Sequence, residues 1–494
     1  MKIYMLGVFL LISYVHSANL RIDPLVLIPQ GIVRGQRATD GDYTSFLGIP
    51  YAVVDEENPF GPALPAPEFE EEVYRANDGS RKCPQTPVYT FTAEGGTETL
   101  DCLRMNIYVP NDATSLNPLP VLVWLHGGVF GTGYAGQYNV RDLVNKGIVV
   151  VTVNYRLGPY GFMCLDVPTV TGNQGLKDQF DALRWIKSNI GAFAGNPYNV
   201  TLGGQSAGAC SVLLHLYSSK EKLFQKVIVE SGTPQSSGMF VNGDTEAAIK
   251  LANQLGLNTT DTTEALAFLS NAPHDLVTGA ASALNLSLRP CRERSFSGVE
   301  NFVDSDPYDL SNERKVRNTP ILIGHTSKEE INSVSVRPNY FNSDPFLTKI
   351  QNSFNMDTER ANMVASTIRH FYIGDRAITD QVTSKLEDFE SDFIFNHPTQ
   401  RTITNLLREN AGPVYTYKFS YVGDSGLEGA GHSAELNYLF DKFAGSSQRT
   451  EEEQMVADQI TTLWANFVKY GNPTPSFQKT LAVTWNPVTA VTRP

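Results

Sequence analysis

Ser206 lies in Gly204-Gln205-Ser206-Ala207-Gly208, a G-x-S-x-G pentapeptide between a short apolar run, Val200–Leu202, and a helix-like stretch reaching Leu216. Between a strand and a helix, the glycines let the chain turn sharply and lift the serine hydroxyl out of the backbone. A serine hydroxyl attacks a carbonyl only when a base removes its proton, and imidazole suits that work because it titrates near neutrality. Of the eight histidines, His432 sits in Gly429-Ala430-Gly431-His432-Ser433, a small-residue loop. Glu329 follows the apolar strand Ile321–Gly324 and would orient the imidazole. Leu125-His126-Gly127-Gly128-Val129-Phe130 supplies Gly-rich backbone whose N–H groups, with that of Ala207, could bind an oxyanion. Each such donor is worth roughly 2.7–4 kcal/mol where it has been measured. His126 reads as a structural residue rather than a base. The chemistry these residues could perform is acyl transfer through a serine nucleophile.

The elements that must position them read as alternating strands and helices. Val121–Leu125, Ile148–Val153, Val200–Leu202, Val227–Val229, Ile321–Ile323 and Val414–Phe419 are short apolar or β-branched runs, which predict strands. Gly175–Ile190 has helical spacing at Leu176, Phe180, Leu183, Ile186 and Ile190. Ala247–Leu255 and Glu264–Leu269 also read as helices. So does Glu451–Tyr470, with acids at its start and Gly471 at its end. Strands separated by helices predict a mostly parallel sheet with helices on both faces. The order Ser…Glu…His is that of the α/β-hydrolase fold.

Composition bounds the setting. A 494-residue chain that is 41% hydrophobic has material for a large core. Met1-Lys2, an uncharged and mostly apolar run Ile3–Val15, and a site after Ser17 predict a signal peptide over residues 1–17. Residues 18–494 then read as one secreted domain with no membrane anchor. Removing Lys2 takes the net charge from −13 to −14, which disfavours nucleic acid and anionic membranes. Sequons at Asn199, Asn258 and Asn285 are candidate glycosylation sites, Asn258 in the most turn-like setting; Asn199 opens a strand where a backbone role competes. Of five cysteines, Cys83 and Cys102 flank a polar segment that a bridge would close, whereas Cys164, Cys210 and Cys291 read as buried, inert thiols. The cysteine spacing is not that of a metal site.

The motifs together resemble the type B carboxylesterase/lipase family, the cholinesterase-like esterases. The resemblance runs through residues 46–52 (Phe-Leu-Gly-Ile-Pro-Tyr-Ala), 101–106 (Asp-Cys-Leu-Arg-Met-Asn), 154–158 (Asn-Tyr-Arg-Leu-Gly) and 172–179 (Gly-Asn-Gln-Gly-Leu-Lys-Asp-Gln). It continues through residues 196–201 (Asn-Pro-Tyr-Asn-Val-Thr), the serine pentapeptide and Glu230-Ser231-Gly232. It implies a serine carboxylesterase needing no cofactor and acting on small-molecule esters. It also implies a Ser206–His432–Glu329 triad, an oxyanion hole from Gly128, Val129 and Ala207, a Cys83–Cys102 disulfide, and support of the acid–base pair by Ser231. Four departures stand out: Val129 where the family has Gly or Ala, Glu330 where it has Gly, no arginine in residues 59–62, and a family pattern that continues past Pro494. Glu330 leaves a second carboxylate able to compete for His432; alignment favours Glu329. The segment between Cys83 and Cys102 lacks the tryptophan of choline sites, and Gln205 with Asp178-Gln179 resembles secreted arthropod esterases, including juvenile hormone and odorant- or pheromone-degrading esterases. A neuroligin-like binding protein on the same fold is the competing expectation. Retention of all three triad residues weighs against it.

Overall fold

A computed structural model describes residues 24–86, 95–337, 339–441, 449–477 and 483–489; the signal-peptide reading of residues 1–17 lies outside them. Its centre is a nine-stranded sheet. From one edge the strands are Val414–Phe419, Ile321–Thr326, Lys226–Glu230, Gly195–Gln205, Leu119–Leu125 and Val149–Val153, all mutually parallel. Arg104–Pro110, Tyr43–Pro50 and Gln36–Arg37 extend it antiparallel. The parallel strands match the sequence reading in place, with Val200–Leu202 lengthened to Gly195–Gln205. The antiparallel extension does not announce itself in the sequence, because Tyr43–Pro50 carries Gly48 and Pro50 and lacks a clean alternation.

Both faces of the sheet are covered, which is why its central strands present apolar side chains to both sides. Val121, Val123 and Leu125 join the larger core, while Leu122 and Trp124 between them join the core beneath helix Glu451–Tyr470. Val227, Val229, Ile321 and Ile323 divide from Ile228 and Leu322 in the same way, following the period of two in a strand. Helix Gln174–Asn189 buries Leu176, Phe180, Leu183 and Ile186 against the larger core. Helix Glu451–Tyr470 opens with a capping box between Thr450 and Glu453 and ends at Gly471, whose φ of 68° suits glycine. A third core lies within a helical layer, Pro345–Ser353, Thr358–Ile373 and Thr383–Arg408, that the sequence reading left unassigned.

Two disulfides tie loops to this frame. Cys83 is bonded to Cys102. Cys164 is bonded to Cys291 across 127 residues, which corrects the expectation that both are free thiols. The two segments are distant in sequence but are brought together by Asn173, whose side chain donates to the Cys291 carbonyl at 2.7 Å and accepts from its N–H at 3.0 Å. Gly172 passes so close that a Cβ there would lie 2.5 Å from Cys164 Sγ. Cys210 alone among the described cysteines is a free, buried thiol, as expected.

The motif residues away from the serine hold loops in place. Buried Arg156 pairs with buried Asp178 through two contacts, Nε at 2.8 Å and Nη2 at 2.6 Å. Its Nη1 donates to the carbonyls of Pro59 and Gly61, at 3.0 and 2.6 Å, and so secures the segment that lacks the family's arginine.

Candidate active site

Strand Gly195–Gln205 delivers Ser206 to the end of the sheet, where its backbone turns to φ 58°, ψ −120° before helix Ala207–Tyr217. A non-glycine residue reaches this region only when its surroundings enforce it. Here Ser206 N–H donates to the Glu230 carbonyl at 2.8 Å, and the Ser206 carbonyl accepts from Cys210 N–H at 3.0 Å. The flanking glycines are required by packing: a Cβ on Gly204 would lie 2.6 Å from the Gly208 carbonyl carbon, and one on Gly208 would strike the Leu125 carbonyl oxygen.

The loop carrying His432 is fastened to the turn carrying Glu329. Lys328 N–H donates to Ala430 O at 2.9 Å, His432 N–H to Glu329 O at 3.1 Å, and Ala430 N–H to Ser327 Oγ at 2.9 Å. Such close approach needs small residues; a Cβ on Gly431 would lie 2.7 Å from Ile331 Cγ2. The side chains then meet, with His432 Nδ1 2.6 Å from Glu329 Oε2. The other oxygen of Glu329 accepts from Thr326 N–H at 2.7 Å. Burial raises the Glu329 pKa, but the charge and hydrogen bond of His432, with Ser231 and Thr326 N–H, outweigh it and hold the carboxyl below its usual range. Burial pulls the His432 imidazole down, yet the hydrogen bond and charge of Glu329, aided by Glu435 and Glu330, leave it above its ordinary value.

Glu330 does not compete for the imidazole. Its carboxylate accepts from Arg337 Nη2 at 2.5 Å and its N–H donates to Ser391 Oγ at 2.9 Å. His126 is buried, stacks on Tyr155 with ring centres 4.3 Å apart, and is pushed down to about 4 by burial, so it stays neutral. In the glycine loop, Gly128 has φ 107° and Val129 and Phe130 follow at φ 55° and 59°. The N–H groups of Gly128, Val129 and Ala207 donate to no backbone carbonyl among the described residues.

Two features escaped the sequence reading. Gln205 Nε2 lies 3.1 Å from His432 Nε2 and donates to Ser433 Oγ at 2.8 Å, so among the described residues the imidazole's Nε2 is bonded to Gln205 and not to Ser206. The position of Gln205, one residue before the serine, is the signal that could have drawn attention to it. Phe395 packs its ring 4.8 Å from the imidazole, and nothing in its local sequence foretells that contact.

A mostly parallel sheet with helices on both faces, a strained serine between strand and helix, and an acid and a histidine on later loops define the α/β-hydrolase class. Residues 22–494 match the model of the carboxylesterase family. The chain is 31% identical to a juvenile hormone esterase of Heliothis virescens, over 92% of this chain and 87% of that protein. It is 30% identical to esterase FE4 of Myzus persicae, over 98% of this chain and 91% of that protein. The crystal structure of juvenile hormone esterase from Manduca sexta, with OTFP covalently attached, superposes with a TM-score of 0.81 at 27% identity, covering 95% of this chain and 93% of that one. This chain belongs to the carboxylesterase family and is an ester hydrolase. That sets aside the expectation of a non-catalytic binding protein. No helix among the described residues is long and apolar enough to cross a membrane.

Proposed function

We propose that Ser206, His432 and Glu329 form a catalytic triad that hydrolyses carboxylic esters through an acyl-enzyme. The observation that carries this reading is the 2.6 Å bond from His432 Nδ1 to the buried Glu329 carboxylate, on loops placed beside the strained serine. Glu329 keeps the proton on Nδ1, which leaves the Nε2 lone pair to act as base. The Gln205 amide now occupies that lone pair and must move aside when substrate brings Ser206 Oγ to Nε2; catalytic hydrogen bonds often form only in the complex. Oγ then attacks the carbonyl carbon, Nε2 takes its proton, and the oxyanion meets the N–H groups of Gly128, Val129 and Ala207. The imidazolium gives its proton to the leaving alcohol, and water repeats the cycle on the acyl-enzyme to release the acid.

Small to medium hydrophobic esters, such as hormone, odorant or xenobiotic esters, are the substrate class we assign. Phe395 against the imidazole and half-buried Val129 supply apolar surface at the reacting centre. Secretion after cleavage of residues 1–17 completes the reading and is supported by two disulfides, which persist in oxidising compartments. Asn258 and Asn285 are exposed and suited to glycan, whereas the side chain of Asn199 is engaged by Lys226 and by the Lys469 carbonyl. The test is release of p-nitrophenol from acetate, butyrate and hexanoate esters, with and without an organophosphate. Turnover that the inhibitor blocks with a tag on Ser206, and that Ser206→Ala abolishes in a folded protein, is the expected result. Equal activity in Ser206→Ala would overturn the assignment.

A further inference from the structure

The helical layer holds a cavity of about 540 Å³ that no triad residue lines. This is the size of a small-molecule site. Its walls are apolar, with Ile350, Phe354, Ile368, Phe389 and Phe393 among them. It runs into a second hollow lined by Gln235, Tyr308, Thr404, Asn405, Arg401 and Arg408. The continuous helical run Thr383–Arg408 forms one side of both. Phe389, Phe393, His397, Arg401 and Asn405 recur along it every fourth residue, so one face passes from aromatic to cationic. Phe389 to Arg401 spans about 18 Å at the rise of a helix. At Asp392–Asn396 the run widens to a π turn. There Phe393 lines the cavity while Phe395, two residues on, packs against His432, so the cavity and the triad lie on opposite sides of one helical turn.

The polar end of the cavity is cationic. The net charge is −13, yet neither Arg401 nor Arg408 forms an ion pair with a carboxylate among the described residues. Arg401 instead lies over the Tyr308 ring, 4.9 Å from its centre. The acid in the lining, Asp392, is already used: it accepts from Tyr372 Oη at 2.5 Å and from Asn396 Nδ2 at 2.6 Å. An apolar cavity ending at two guanidiniums without a carboxylate partner among the described residues is complementary to an apolar chain that ends in a carboxylate, whose two oxygens match the guanidinium fork.

We propose that this cavity is a second binding site, separate from the triad, for an amphiphilic carboxylate whose chain lies among Phe389, Phe393 and Ile368 and whose head is held by Arg401, with Arg408 beyond it. Carboxylic acids of this kind are products of ester hydrolysis, so the site would be occupied by the acid that an apolar ester releases. The binding itself does not depend on the triad reading.

The experiment is calorimetric titration of decanoate, with decan-1-ol as the neutral control, into the full-length enzyme before and after reaction with an organophosphate. Decanoate should bind the blocked enzyme with one-to-one stoichiometry and more tightly than decan-1-ol. Arg401→Gln should weaken binding by about tenfold or more, the range for a charge-assisted hydrogen bond, while leaving p-nitrophenyl acetate turnover and thermal midpoint unchanged. Val364→Trp, which fills the cavity from another helix, should abolish it. Loss of decanoate binding on organophosphate treatment would place the ligand at Ser206 and overturn the proposal. So would equal affinity in Arg401→Gln, or equal affinity for the alcohol. An enzyme that neither turns over esters nor takes the label, yet binds decanoate in an Arg401-dependent way, would sink the triad reading alone.

Discussion

Replacing Glu329 by Gln tests the site through hydrogen-bond directions. The carboxylate accepts two bonds in a fully buried setting: Thr326 N–H on Oε1 at 2.7 Å and His432 Nδ1 on Oε2 at 2.6 Å. Glutamine has one oxygen to offer. If that oxygen turns to His432, the amide NH₂ meets Thr326 N–H head-on, and a buried unsatisfied donor costs about 1–3 kcal/mol. The favoured orientation therefore keeps the oxygen on Thr326 and presents NH₂ to Nδ1. Nδ1 must then accept, which moves the proton to Nε2, where it can no longer be given by Ser206. Gln205 deepens the trap, because rotating its amide lets its oxygen accept from Nε2–H, the atom it now faces at 3.1 Å. A wrong-tautomer triad loses about 10⁴ in kcat in the well-measured serine protease case, or about 5 kcal/mol of transition-state stabilisation. We expect a similar loss in kcat/KM for p-nitrophenyl butyrate, with folding checked by thermal unfolding. Glu330→Gln should stay within about threefold of wild type, since a partly exposed ion pair contributes little and its carboxylate faces Arg337. A Glu329→Gln enzyme within about tenfold of wild type, or a Glu330→Gln enzyme just as damaged, would refute the reasoning.

The remaining predictions concern the same neighbourhood and its frame. Because His432 must be neutral to act and its pKa is raised, kcat/KM should fall with decreasing pH through a limb above about 6.5, the ordinary imidazole value. Gln205→Leu removes a donor that stabilises the neutral imidazole, so a pH–rate profile should show that limb rising by up to about one pH unit; a fall would mean that Gln205 accepts from Nε2–H instead. Val129 holds a β-branched side chain at φ 55°, where an L-residue pays about 1–2 kcal/mol. Val129→Gly should therefore preserve or raise the thermal midpoint and increase the hexanoate-to-acetate rate ratio, and a lower midpoint with an unchanged ratio would refute this. Opening Cys164–Cys291 with paired serines should cost about 5 kcal/mol by chain entropy, against about 3 for Cys83–Cys102, because the loops close 127 and 19 residues; equal losses on denaturant unfolding would refute the entropic account.

What the sequence made legible follows from what leaves a local trace. Parallel strands buried on both faces are largely apolar, so Val121–Leu125, Ile148–Val153 and Ile321–Ile323 stand out in the sequence. The serine turn was legible because sterics demand both of its glycines. The layer Pro345–Arg408 was not, because helices packed on one side mix polar and apolar residues; Thr358–Ile373 buries only Ala361, Ala365 and Ile373. The Cys164–Cys291 bond was hidden for a different reason, since a bond across 127 residues depends on where the intervening chain returns. Gln205 on Nε2 and Phe395 on the imidazole belong to the same kind: each is a contact between elements that no spacing rule joins.

The carboxyls around His432 show how the fold separates groups that residue types alone leave equivalent. Glu329, Glu330 and Glu435 all act on the imidazole, and Glu230 lies behind them. Left ionised together in a buried site they would repel one another strongly. Glu330 is drawn away by Arg337, which also binds Glu390 at 2.7 Å. Glu230 accepts from Trp464 Nε1 at 2.5 Å, and burial raises its pKa. Glu435 is raised well above the usual range by burial and by the nearby charges of Glu230 and Glu329, so it too favours the neutral acid. Glu329 keeps its charge beside the imidazole, because it accepts from both His432 Nδ1 and Thr326 N–H. A second ionised carboxyl would raise the imidazole further and leave less free base at neutral pH. Keeping its neighbours neutral or paired is therefore as much a part of building this base as the 2.6 Å bond itself.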